Sequence, residues 1–384
     1  MKRIRKSAAA FAATVAAGLL VAGGVFAGPA SAATGNAASA VRPASGGPSS
    51  FIGSLRHTKV IASTVPKNGD VNPYGVAVVP RSTGRLRSGD VLVSNFNDKT
   101  NTQGTGTTIV QVGQHGHATL FAGISDPSCP GGVGLTTALV ALRSGWVIVG
   151  SLPTRHGNIS GPGCLIVLDQ WGNVRKTIRG LGIDGPWDMT AFDGTRGGFA
   201  VLFVTNVLGG ILGSHHSANG GTVQRLVITS IANRVPQVLA STRIGSGFPA
   251  KTDPDALVIG PTGVGLGFDG TLYVADSVAS RIAAIPNAVF RQHSHGSGDT
   301  VTKGGALNDP LGLAIAPNGH IVTANGADGN MVETAPQGKQ LAVVTADKNM
   351  GGGGNLFGLA IKPGAHAVYF VDDFGSDNNL QLLF

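Results

Sequence analysis

Six positions of this 384-residue chain carry oxygen donors that could converge on one cation or one polar ligand: Asn95, Asp188, Asn206, Asp276, Asn325 and Asp372. Hard cations such as Ca²⁺ take several oxygen ligands, and Asp188, Asn206, Asp276 and Asp372 together would supply part of such a shell. Asp188 is the sharpest candidate. It stands where the equivalent stretches of the chain carry glycine, which predicts a carboxylate in a crowded, partly dehydrated place. His156, His215 and His216 add imidazoles, common metal ligands, in long polar loops. A plainer role stands beside each: Asx side chains cap turns by bonding local backbone, and buried carboxylates are satisfied by amide donors.

Several reaction classes fail on inventory. Glu333 is the sole glutamate and falls on a strand behind the other candidates, so a zinc-protease HExxH site has no place. Neither a GxSxG elbow nor a P-loop is present. His115, His117, His293, His295, His320 and His366 lie in turns and read as solvated.

The elements that must position these residues are repeats. Six stretches open small and apolar: Asn72 to Val78, Gly132 to Thr137, Gly185 to Ala191, Gly260 to Leu266, Asp309 to Ile315 and Asn355 to Ile361. Five keep a glycine at one place, and the third substitutes Asp188. A second strand follows each, ending on a polar residue such as Asn95, Ser151, Asn206, Asp276, Asn325 or Asp372. Turns such as Phe268-Asp-Gly-Thr271 join them, with glycine supplying the backbone angle of a tight hairpin. From Asp309 to Asn355 is 46 residues, inside the ~40–50 of propeller repeats. The last repeat stops at a third strand, Asn379 to Phe384, so Thr58 to Ser63 is expected to close the ring.

The reading is an all-β fold, a six-bladed β-propeller of four-stranded antiparallel blades over residues 51–384, the last blade closed by an N-terminal strand. Loops leading into first strands and loops joining second to third strands share one face of such a ring. That face should carry the oxygen donors and four long loops: Asn95 to Gly106, Ser151 to Gly163, Asn206 to Gly221 and Gly245 to Gly260.

The pattern P-x-G-[LV]-[AG]-[IVL], then DG-x-LYVADS, then R-I resembles the NHL repeat family. The resemblance covers essentially the whole mature chain and is clearest in repeats four to six; the regucalcin and gluconolactonase-like propellers are more distantly similar. It implies a binding or scaffolding module, with enzymes in the minority. The lactonase-like group ligates its metal through acidic or amide residues just before the repeat glycines, where this chain has Tyr74, Thr262, Leu311 and Phe357.

The N-terminus sets the compartment. A basic Met1 to Lys6, an apolar stretch from Ala8 to Phe26 and Ala30-Ser31-Ala32 make residues 1–32 a secretory signal peptide. Residues 33–50 are an Ala/Ser/Gly/Pro linker. No later apolar run is long enough to span a bilayer. The formal charge of +8 is scattered and partly resides in the leader, so nucleic acid is not an expected partner. Cys129 and Cys164, the only cysteines, are expected to pair in an exported chain and to stabilise it by roughly 4 kcal/mol.

The functional expectation is a secreted, monomeric, non-catalytic module that binds a protein, peptide or glycan through its channel-mouth loops. A metal-assisted hydrolase or lyase using Asp188 and the rim Asn and Asp residues, with Ca²⁺ or another divalent cation at the channel mouth, is the alternative. A structural cell-surface module on the 33–50 tether is the second.

Overall fold

The computed structural model describes residues 49–384 except 156, 195–197, 210, 212–216, 350–353 and 375–376; the leader and residues 33–48 of the linker lie outside them. Six antiparallel sheets follow one another in chain order. Blade 1 comprises Val71–Val78, Val91–Asn97, Thr108–Val112 and Ala118–Gly123. Blade 2 comprises Leu135–Ala141, Val147–Ser151, Cys164–Leu168 and Val174–Ile178. Blade 4 runs from Pro261–Leu266 out to Asp299–Lys303, and blade 5 from Pro310–Ile315 out to Gln340–Thr345. Inner strands of successive blades touch in cyclic order, and blade 6 returns to blade 1.

Ring closure follows the sequence reading. Blade 6 takes Leu356–Ile361, Val368–Asp372 and Asn379–Leu383 from the end of the chain and Thr58–Ser63 from its start. Lys59 lies opposite Leu382 and Val60 opposite Gln381. A second clasp, which the sequence reading missed, is built on Glu333. Its buried carboxylate accepts bonds from Ser50 Oγ (2.5 Å) and the Phe51 and Ile52 amides (2.7 and 2.8 Å), and meets His320 Nδ1 at 2.6 Å. Burial pushes this carboxyl up, but those bonds outweigh it and hold it below the usual range. His320 is therefore not a solvated turn residue: only 3% of it is exposed.

Glycine recurs on four inner strands, as Gly75, Gly263, Gly312 and Gly358, because neighbouring blades crowd the axis; in blade 2 the expected Gly134 precedes the strand and Ala138 takes that place, flanked by Thr137 and Leu139 against Gly75. A Cβ on Gly263 would lie 2.4 Å from the Leu311 carbonyl oxygen, and one on Gly358 would lie 2.2 Å from that of Tyr74. Hydroxyls stitch the same junctions: Ser94 Oγ donates to Thr136 O (2.7 Å), Thr205 Oγ1 to Thr262 O (2.7 Å) and Ser277 Oγ to Pro310 O (2.6 Å). Cys129 and Cys164 are disulfide-bonded with Cα atoms 5.6 Å apart, which ties the lead-in of blade 2 to its third strand.

Blade 3 departs from the expected four strands. Its inner strand is Pro186–Asp193 and its second Gly198–Asn206. Its third, Ser217–Ser230, and fourth, Val238–Asp253, absorb residues 217–221 and 245–253 of the stretches that read as long loops from Asn206 to Gly221 and Gly245 to Gly260. Leu257–Ile259 then folds back as a short fifth strand. Gly and Ser content suggested loops there, but two extended segments facing each other satisfy their backbone groups by pairing, as where Ser217 opposes Lys251.

Candidate functional site

Four of the residues just before the repeat position, Tyr74, Trp187, Leu311 and Phe357, meet on the axis. Tyr74 of blade 1 stacks on Phe357 of blade 6 at 3.9 Å between ring centroids and on Phe96 at 4.4 Å, with Trp187 of blade 3 at 6.2 Å. Blades 1 and 3 are not neighbours, so these rings reach across the channel. Leu311 of blade 5 joins the same buried cluster. The result is an apolar plug at the loop-bearing end, where the lactonase resemblance would place a metal.

A lid lies over the plug. Ala256 to Ile259 pack on it; Trp187 Nε1 donates to Val258 O at 2.9 Å, and Tyr74 Oη approaches Asp255 O at 3.4 Å. Gln103 pins the lid from blade 1 through Pro254 O and Asp255 O at 2.8 and 3.0 Å. The loop from Asn95 to Gly106 thus packs across the mouth.

The rim residues chosen from sequence are buried, and each bonds locally. Asn95 Nδ2 donates to Thr64 O at 3.0 Å. Asn206 Oδ1 accepts from the Asp184 amide at 3.2 Å, and its Nδ2 donates to Val204 O. Asp276 forms an ion pair with Arg281 at 2.7 Å; burial pushes its carboxyl up and the arginine counteracts. Asn325 Nδ2 donates to Ala306 O at 2.8 Å. Asp372 accepts from the Phe374 amide at 2.9 Å and from Gln381 Nε2 at 3.0 Å. Among the described residues no three His, Cys, Asp or Glu side chains lie together so as to hold a metal ion. Asp188, Asp276 and Asp372 therefore do not converge as expected, because their strands diverge around the ring. His156, His215 and His216 lie outside the described residues.

Asp188 is not at the loop-bearing mouth. It sits on the other side of the plug, in the wall of an axial cavity of about 490 Å³ that also reaches Pro80, Arg143, Asp193 and Phe268 at the turn-side face. Its Oδ1 accepts from the Met189 amide at 2.8 Å and its Oδ2 from the Val264 amide of blade 4 at 3.0 Å. The carboxylate thus fills the junction that glycine closes in four other blades. Burial pushes it up to about 7, against the pull of those two amides.

A pocket that the sequence reading did not single out opens on the loop-bearing face. It holds about 380 Å³ between the lid and blades 4 and 5, walled by Lys251, Asp253, Asp255, Ser280, Asn308 and Asp309. Asp309 takes a backbone φ of 52°, a left-handed angle that Asp tolerates better than most residues. Its Oδ1 is buried with no protein partner. Burial, then the nearby Asp253, pushes its carboxyl up to about 6. The signal available in the sequence was the density of acids in Asp253-Pro-Asp255 and Asn308-Asp309.

No family model matches the chain, so the NHL resemblance gains no support there, and no curated relative matches it either. Among solved structures, the chain is similar to a gluconolactonase from Xanthomonas campestris at 13% identity, covering 89% of this chain and 98% of that one with a TM-score of 0.53. It is also similar to a candidate gluconolactonase at 15% identity, covering 86% and 92%, with a TM-score of 0.51. A calcium-binding protein, regucalcin, from Agrobacterium tumefaciens matches at 12% identity over 84% and 92%, with a TM-score of 0.50. At these identities the likeness is one of fold, and it agrees with the six-bladed ring described above.

Proposed function

We propose that the protein is an exported, non-catalytic binding propeller whose loop-face pocket takes a basic segment of a peptide or protein. The observation that carries this reading is the pocket itself: three carboxylates and one lysine surround about 380 Å³, and one of the three, Asp309, has no protein partner at its buried Oδ1. A lysine or arginine side chain would supply the missing charge, and charge-assisted bonds to carboxylates are the strong ones. The NHL-like repeats support a binding role. The signal-type leader and the disulfide support export.

The alternative of a metal-assisted hydrolase or lyase draws on the names of the structural neighbours. Against it, Tyr74, Leu311 and Phe357 occupy places where that chemistry needs oxygen ligands, and they are fully packed.

Calorimetric titration with lysine-rich, neutral and acidic peptides tests the proposal. At pH 7.5 the lysine-rich peptide should bind best, and Asp309→Asn should weaken it about tenfold, the loss of roughly 1.4 kcal/mol. Binding should also weaken as pH falls through about 6, because Asp309 then takes up a proton. Equal binding of all three peptides would refute the reading. Selective capture of an amino-sugar glycan instead would move the ligand class from peptide to carbohydrate.

A further inference from the structure

We infer that the axial channel is a second, separate binding site, for a ligand whose primary aliphatic amine pairs with Asp188 while its chain lies along the channel wall. The channel is blind. The plug of Tyr74, Trp187, Leu311 and Phe357 seals one end, and the cavity below it has the volume of a small-molecule site.

Its polar and apolar parts are arranged along the axis. Asp188 directly follows Trp187 of the plug, so the carboxylate lies near the closed end. Val76, Leu266, Leu313, Ile315 and Ile361 form an aliphatic sleeve, and Phe268, 79% exposed, stands at the mouth. From Asp188 to Asp193 the inner strand spans about 16 Å at ~3.3 Å per residue. That depth accepts an eight-carbon chain.

The charge is unmatched. Asp188 takes part in none of the ion pairs among the described residues. Each of its oxygens accepts one amide bond, which leaves each with acceptor capacity on a residue that lines the cavity. A single cation placed there is attracted more strongly than in water, because the surrounding wall screens less. A bare divalent ion lacks the additional carboxylates it would want, since no second acid shares that depth of the wall. Arg143 and Asp193 at the mouth offset each other, which leaves selection to Asp188.

The probe is n-octylamine, compared with n-octanol and n-octanoate, titrated calorimetrically into the mature protein at pH 8. The amine should bind at least tenfold more tightly than the alcohol, and octanoate should not bind. Asp188→Asn, which keeps the shape, should reduce the amine to the level of the alcohol. Thr190→Trp, which fills the sleeve without touching the carboxylate, should abolish both, and this second variant serves if the first fails to fold. Moving from pH 8 to pH 5 should also remove the preference, as Asp188 becomes protonated. Equal binding of amine and alcohol, or amine binding untouched by Thr190→Trp, would overturn the inference.

Discussion

Blades 3 and 4 stand side by side and use one repeat position in opposite ways. In blade 4, Gly263 lets the inner strand approach blade 5 so closely that an added Cβ would sit 2.4 Å from a carbonyl oxygen. In blade 3 the same position holds Asp188, whose carboxylate reaches the Val264 amide and replaces close packing with a hydrogen bond. Beside them, Thr262 of blade 4 is a buried hydroxyl bonded to Pro310 O, whereas Trp187 of blade 3 crosses toward Tyr74 to plug the axis. The regular blade builds the ring, and the irregular one builds its closed end, its lid and its buried charge. Function in a repeat fold is sought where the repeat breaks.

Four substitutions probe that contrast. Trp187→Ala should cost the most, about 4 kcal/mol, through a cavity in the plug and the loss of the bond to Val258; urea denaturation measures it. A value below about 1 kcal/mol would mean that the plug is not a packed unit. Gly263→Asp should cost about 3 kcal/mol, since the added side chain meets backbone atoms at the blade 4–5 junction. If the variant is as stable as the parent, blades 3 and 4 are interchangeable and the contrast dissolves.

The third probe is pH dependence. With its folded value raised to about 7, Asp188 keeps a proton in the native state that the unfolded chain has released. It therefore favours folding below the ordinary carboxylate range and loses that contribution as pH rises through about 7. Relative to Asp188→Asn, the parent should lose about 3 kcal/mol between pH 4 and pH 8, given a folded value near 7. A flat difference would mean that the carboxylate is hydrated. The smallest effect is expected for Asp188→Gly, which restores the repeat and should change stability by under ~1 kcal/mol.

Much of the architecture was legible because it is local. Alternation, hairpin turns and the glycine of most inner strands recur at blade spacing, so strands, blade number and the pairing of Thr58–Ser63 with Asn379–Leu383 could be read in order. The oddity of Asp188 was equally visible, as a break in that recurrence. The polar ends of the second strands misled. A strand-end Asn or Asp looks the same whether it faces a ligand or bonds its own blade, and Asn95, Asn206, Asp276, Asn325 and Asp372 all bond nearby groups.

By itself, then, the sequence determined the ring, its closure, the cysteine pairing and the charged residue that breaks the glycine recurrence, because each is written in short-range pattern or in residue counts. Only the tertiary structure decided which end of the channel is closed, that His320 is buried against Glu333, and where Asp188 faces. Those outcomes depend on side chains such as Tyr74, Trp187 and Phe357, more than a hundred positions apart, fitting together across the axis. No local period encodes that fit, since it arises from shape and burial once six blades share one centre.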